Sequence, residues 1–270
     1  MIDLGEPIDI SIPLDFYGGQ VNAFGVENAS ARAVEAGEMI GDTRRGGSCN
    51  VEQITLVPHC NGTHTECVGH ITHERISVNT CLKDVLVPAV LVSVKPEPAN
   101  ASGETYSVAF GEKDILITAK SLSARLQATN ADRGSEPLAL AVRTLPNNDE
   151  KLTRRYGEEM PPYFSNEAME FIVRLGIKHL LVDLPSIDRL DDQGKLSNHR
   201  IFWSVQPGQF EIDPGTRVNA TITELIYVPN ETPDGEYLLN LQIAPFVAEA
   251  SPSRPLLFRF DPSEKLKTKK

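Results

Sequence analysis

Cys60-Asn61-Gly62-Thr63-His64-Thr65-Glu66-Cys67-Val68-Gly69-His70 is the stretch on which the reading of this chain turns. Four of the six histidines, His59, His64, His70 and His73, fall in and around it, beside Cys60, Glu66 and Cys67. Imidazole, carboxylate and thiolate are the donors that zinc prefers, so the cluster reads as a metal site. The bland alternative is a set of ordinary hydrogen-bonded histidines. In an extended chain successive side chains alternate between faces. Cys60, His64, Glu66 and His70 would then share one face, with His59, Cys67 and His73 on the other. Gly62 inside the run marks a place where backbone approaches closely or a side chain would block a ligand, and a turn there would break the alternation. The spacing C-x6-C lacks the paired C-x2-C knuckles of a structural zinc site.

Working outward, most of the flanking sequence reads as β-structure. Ile8-Asp9-Ile10-Ser11-Ile12 alternates apolar and polar residues, as a half-buried strand does. Residues 51–57 form a strand candidate that leads into the cluster. Residues 86–94 are almost continuously apolar, the pattern of a strand buried on both faces. Further strands are expected at 138–144, 179–183, 220–228 and 237–243. One helix is expected over 118–126 with Thr118 as its N-cap. A second follows Ser165 and is closed by Gly176. Strand, helix and strand between 138 and 183 imply a crossover unit. No internal repeat or convincing linker is present, so the chain reads as one α/β domain over 1–270 with more strand than helix.

Composition narrows the function. Of the 270 residues, 40% are hydrophobic and 23% charged, enough for a full core and unlike a disordered chain. The formal net charge of -11 repels phosphate backbones, so no nucleic-acid partner is expected. No apolar stretch approaches the ~18–20 residues that span a bilayer, so no membrane partner is expected either. The acidic opening Met1-Ile2-Asp3-Leu4-Gly5-Glu6 has no features of a signal peptide, and the expected compartment is the cytoplasm. The basic run at 265–270 reads as a solvated tail. In a reducing compartment the four cysteines are thiols or metal ligands, with Cys49 and Cys81 read as small buried hydrophobes.

Residues 60–70 resemble the signature H-x-G-T-H-x-D-x-P-x-H of the cyclase family that includes bacterial kynurenine formamidases and isatin hydrolases. Gly62, Thr63, His64 and His70 match; Glu66 replaces the aspartate, Cys60 the first histidine and Val68 the proline. Other stretches are similar in order. Asp3-Leu4-Gly5-Glu6-Pro7-Ile8 resembles the opening DLSHPI, Arg143-Thr144 the RT, residues 176–188 the GvxxvgiDtpSxD, Ile222-Thr223-Glu224-Leu225 the iiExL, and Ser251-Pro252-Ser253-Arg254 the SPvR. The resemblance implies a swivelling β/β/α fold with a mixed sheet, and assembly as a homodimer or homotetramer. It also implies metal ligands at Cys60, His64, Glu66, His199 and Glu224. These would hold one or two Zn2+ ions, or Mn2+, with Glu66 shared, while His70 transfers a proton. His59, next to Cys60, is an alternative first ligand through a bulge.

The expected activity is metal-dependent hydrolysis of an amide or formamide C–N bond in a small molecule. Two alternatives stand beside it. One is a non-catalytic member of the fold that binds a small molecule or metal, favoured by Cys60 and Glu66. The other is a cysteine enzyme acting through Cys60 or Cys67. Asp183, Ser186 and Asp188 lack a G-x-S-x-G elbow and read as a turn beside the site. Phe202 and Trp203 read as core or as pocket lining.

Overall fold

The apolar run at 86–94 is the longest strand in the computed structural model, which describes residues 5–129, 137–157 and 160–259. The opening Asp3-Leu4 and the basic run at 265–270 lie outside the described residues. Nine strands make one mixed sheet: β1 (Ile8–Asp9), β2 (His64–Glu66), β3 (Leu86–Val94), β4 (Ala139–Thr144), β5 (His179–Val182), β6 (Thr221–Glu224), β7 (Gly235–Asn240), β8 (Ala250–Pro252) and β9 (Leu256–Arg259). Their order is β1-β9-β7-β3-β4-β5-β6-β2-β8. The four central strands β3 to β6 are parallel and the outer pairs antiparallel. The sheet curls, so that Ser11, just past β1, bridges Ile226, just past β6.

Strand parity decides which side chains fill which core. Val90, Val92 and Val94 of β3, Leu140 and Val142 of β4, and Leu180 and Val182 of β5 face one way. They pack against helices α1 (Ala119–Ala128), α2 (Asn166–Arg174) and α3 (Ser197–Trp203) through Leu122, Met169, Ile172, Phe202 and Trp203. The alternate residues Val87, Ala89, Leu91, Ala139, Ala141 and Leu181 join Ile226, Tyr237, Leu239 and Leu257 inside the curl. Both faces are therefore dry, as the unbroken apolar runs require.

The helix signals act as read. Thr118 Oγ1 accepts from Ser121 N while Ser121 Oγ accepts from Thr118 N, a reciprocal cap. Ser165 Oγ accepts from Ala168 N, and Gly176 follows α2 at φ 77°. Helix α2 lies in the crossover that joins parallel β4 to β5.

Several strand boundaries differ from expectation. The strand expected over 220–228 ends at Glu224, because Leu225 adopts φ 54° and donates its N–H to Leu184 O. Only Ile8–Asp9 of the alternating opening run pairs in a ladder, and the strand expected over 237–243 spans Gly235–Asn240. The strand at 51–57 is reduced to Glu52–Thr55, exposed along its length and paired with Ser30–Ala33 outside the main sheet. Cys49 is exposed, not buried as expected, whereas Cys81 is buried. No helix among the described residues is long and apolar enough to cross a membrane.

Polar groups fasten the carboxyl ends of the parallel strands. Arg143 donates to Ser93 Oγ, Pro229 O and Asp234 Oδ1, tying β3 and β4 to the turn before β7. Lys151 Nζ, almost fully buried, lies 2.7 Å from Asp183 Oδ2 and donates also to Thr144 O and Oγ1. Burial pushes the Asp183 carboxyl above its ordinary range, and the charge of Lys151 opposes that. Lys151→Met strands this carboxylate and is expected to cost about 3–5 kcal/mol, measured by denaturant unfolding. Without its partner the carboxyl holds a proton more tightly in the native state than in the unfolded chain. Native stability then rises as pH falls toward the raised value, so the deficit shrinks in acid. A deficit that is absent, or that grows in acid, would contradict the assignment.

Candidate metal centre

The site begins where the exposed strand Glu52–Thr55 gives way to Pro58. Proline at the start of a helical turn loses nothing by lacking an N–H, and Pro58–Asn61 forms such a turn. The Asn61 side chain closes it, accepting from Val57 N and donating to Glu27 O. Because this segment is helical, the face alternation expected of an extended chain does not apply to residues 59 and 60. The close approach expected at Gly62 is also absent: its φ of 175° is ordinary extended backbone, and an added Cβ would meet no atom within 4 Å. Gly69 is the confined glycine, where a Cβ would lie 2.1 Å from Ile76 O.

Beyond Gly62 the chain is locked into the sheet. Thr63 Oγ1 donates to Leu225 O and accepts from Ile12 N. Strand β2 then inserts between β6 and β8, with Glu66 opposite Ile222 and Ala250, and His64 opposite Glu224. A 3-10 turn, Val68–His70, carries His70 back toward the same point.

The donors converge as a chain of close pairs. His64 Nε2 lies 3.5 Å from Glu224 Oε2, and Glu224 Oε1 lies 3.8 Å from His199 Nε2. His199 Nε2 lies 3.0 Å from Glu66 Oε1. Glu66 Oε2 in turn lies 3.4 Å from His59 Nδ1 and 3.7 Å from His70 Nδ1. Among the described residues, three sets of donor atoms gather within 4.8 Å of one another: His59, His64 and Glu66; Glu66, His70 and His199; and His59, His70 and Glu249. His64, Glu66, His199 and Glu224 are buried; His59, His70 and Glu249 stand toward solvent.

The hydrogen bonds around these donors orient them. His64 Nδ1 donates to Gly62 O, which can only accept, and Nε2 faces Glu224 Oε2; burial disfavours the charged ring, but Glu224 and Glu66 raise it above an ordinary histidine. His199 Nδ1 donates to Asp188 Oδ2 at 2.6 Å, aiming Nε2 at Glu66. Asp188 is itself held by Tyr106 Oη, Asn198 N and His199 N. Such carboxylate–histidine pairs fix ring orientation beside metal ions. Glu224 Oε1 accepts from Ile187 N.

Burial opposes the charge on Glu66, but His70, His199 and His59 hold its carboxyl well below the usual range. His199 is also disfavoured as a cation by burial, yet the charges and hydrogen bonds of Glu66 and Asp188 raise it well above an ordinary histidine. Burial pushes His59 and His70 down, leaving them neutral bases. Burial raises Glu224, with the charge of Glu66 adding to the effect.

The residues fit a divalent cation on their own chemistry. His64 Nε2 and Glu66 Oε2 are buried without any hydrogen-bond partner. Native interiors rarely leave such atoms unpaired, because each costs about 1–3 kcal/mol. Neutral imidazole and carboxylate are ligand types for zinc and manganese. Of the residues singled out from the sequence, His64, Glu66, His70, His199 and Glu224 meet here. Cys60 is buried on the helical turn and joins none of the three donor sets, whereas the adjacent His59 joins two. Glu249 was not foreseen. It sits one residue before β8, and only the pairing of β8 with β2 brings it near. Phe202 and Trp203 are core, with the Trp203 ring centroid 5.5 Å from that of His199.

Known proteins share this architecture. The chain is similar in structure to a potential metal-dependent hydrolase with cyclase activity, at 15% identity and TM-score 0.59, covering 95% of this chain and 99% of that one. It is also similar to an isatin hydrolase bound to the product analogue thioisatinate, at 14% identity and TM-score 0.60, covering 94% and 92%. Isatin hydrolase A from Labrenzia aggregata, bound to benzyl benzoate, gives 14% identity and TM-score 0.58 over 94% and 93%. At these identities the likeness establishes the fold, a cyclase-like α/β fold with a curled mixed sheet. No curated protein matches the chain in sequence. The family model described as "Putative cyclase" matches residues 2–189, well over half of the chain and including the whole 60–70 signature. The chain therefore belongs to the cyclase family.

Proposed function

We propose that this protein is a metal-dependent hydrolase that cleaves the amide or formamide C–N bond of a small molecule. The observation that carries the reading is the pair of buried atoms that make no hydrogen bond, His64 Nε2 and Glu66 Oε2, inside a cluster of imidazoles and carboxylates. Family membership and the fold shared with hydrolases support it. His59, His64 and Glu66 would hold one divalent ion, zinc or manganese. His199 and Glu224, which lie beside Glu66, would share it with a second ion. A divalent cation held there supplies Lewis acidity, polarising a carbonyl and acidifying water.

The remaining work falls to the chain's own groups. His70 stands at the open side of the cluster, its side chain 28% exposed, and passes a proton to the departing nitrogen. Asp188 keeps the proton of His199 on Nδ1 and so keeps Nε2 directed inward. Trp203 and the buried strand β2 exclude water from the inner wall. The cysteine reading finds no support. Cys67 is fully buried, and its hydrogen bond with Cys81, then burial, push its thiol far up. Burial raises the Cys60 thiol as well, and a thiol held protonated is a poor nucleophile.

Two comparisons test the reading. Protein purified without chelator is expected to carry about one or two divalent ions per chain by elemental analysis. His64→Ala loses metal and turnover together, whereas His70→Ala keeps the metal and loses about 10²–10⁴-fold in rate on a formamide and cyclic-amide panel. Retention of metal by His64→Ala sinks the proposed ligand set; a loaded protein inert on the whole panel points to the non-catalytic alternative. The second comparison addresses the first ligand. His59→Ala is expected to weaken metal affinity by more than the roughly 10–100-fold that even an outer partner costs. Cys60→Ala leaves the affinity unchanged. The reverse outcome would return the ligand role to the thiolate.

A further inference from the structure

A cavity of about 800 Å³ lies on the side of α3 away from the metal centre. Ser197, Arg200, Ile201 and Ser204 line it at helical spacing, one face of the helix and its cap. His199 and Trp203 occupy the opposite face. The volume falls within the ~300–1,000 Å³ of small-molecule sites.

The charge of the cavity is opposite to that of the chain as a whole. In a chain of net charge -11, its lining includes Lys195 and Arg200 and no acidic side chain. Arg200 is only 7% exposed. Its Nε donates to Lys195 O, and its Nη1 to Gln206 O and Gln209 O. No described residue accepts from Nη2, and no described carboxylate pairs with the guanidinium. Lys195 Nζ donates to Ser107 O and likewise has no described carboxylate partner. Desolvating a guanidinium without a counter-charge is costly, and buried charges are ordinarily paired. The backbone carbonyls fix the plane of Arg200 with Nη2 left over. Phe210 stacks beneath it, with Cζ 5.2 Å from the ring centroid. Apolar walls come from Ile201, Val205 and Pro207.

We infer that this cavity binds a small organic anion, a carboxylate or phosphate monoester with an apolar body. Arg200 Nη2 and Lys195 Nζ take its oxygens, and the wall of Ile201, Val205 and Pro207 takes its hydrocarbon. The arrangement is that of charge-assisted recognition, in which a fixed guanidinium meets an oxyanion. The inference stands apart from the hydrolase reading, because none of these residues belongs to the metal centre.

The test is isothermal titration of the full chain with benzoate, with phenyl phosphate and with neutral benzamide, before and after removal of metal by chelation. Saturable binding of at least one of the two anions is expected, unchanged by chelation, with none for benzamide. The stronger of the two identifies the oxyanion preferred. Lys195→Glu changes an exposed side chain, and far-UV circular dichroism checks that its fold is intact. It is expected to weaken binding roughly tenfold or more, the scale of one charge-assisted hydrogen bond. Arg200→Gln should abolish binding. The inference is overturned if neither anion binds, if benzamide binds equally, if Lys195→Glu binds as the unchanged chain does, or if chelation removes the binding and so assigns it to the metal centre.

Discussion

Glu66 places a carboxylate with no solvent exposure at the end of a three-residue strand, and the surrounding structure is arranged around that charge. An isolated carboxylate there would be prohibitively costly. Imidazoles of His59, His70 and His199 approach it from a helical turn, a 3-10 turn and α3. The strand that carries it is held on both sides, by β6 and by β8. Thr63 and the Thr65–Thr223 hydroxyl pair fix its depth. Sheet order and site are therefore one arrangement: displacing β2 from between its neighbours would strand the charge.

Asp188 extends the same logic outward. Five hydrogen bonds, from Tyr106, the Ser197 hydroxyl, the His199 ring and the backbone of Asn198 and His199, converge on one buried carboxylate. The strap after β5 is thereby joined to the helix that supplies His199. Helix α3 turns its other side to a cationic cavity, so a seven-residue element separates two pockets of different chemistry.

Much of this was legible from local chemistry. Residues 86–94 are buried on both faces because their apolar run has no polar alternation, and Thr118, Ser165 and Gly176 delimit helices by hydrogen bonds available within a few residues. The donor types at 64 and 66 were visible for the same reason. What escaped the sequence depends on pairing or on conformations without a local signature. His59, and not Cys60, stands among the clustered donor atoms because Pro58 starts a turn, which overrides the alternation of an extended chain. Leu225 ends its strand in a left-handed conformation that leucine does not advertise. Glu249 reaches the cluster only through the β8–β2 ladder. His199 and Glu224 were reachable through resemblance, not through periodicity.

The two rims of the large sheet have a consequence for association. One rim strand is two residues long and follows Pro7; the other is three residues long and ends in Pro252. Proline contributes no amide hydrogen, and such short borders give an incoming chain little to zip onto. A nine-stranded sheet would otherwise invite edge-to-edge growth into fibrils. Here that route is blunted at both borders of the main sheet.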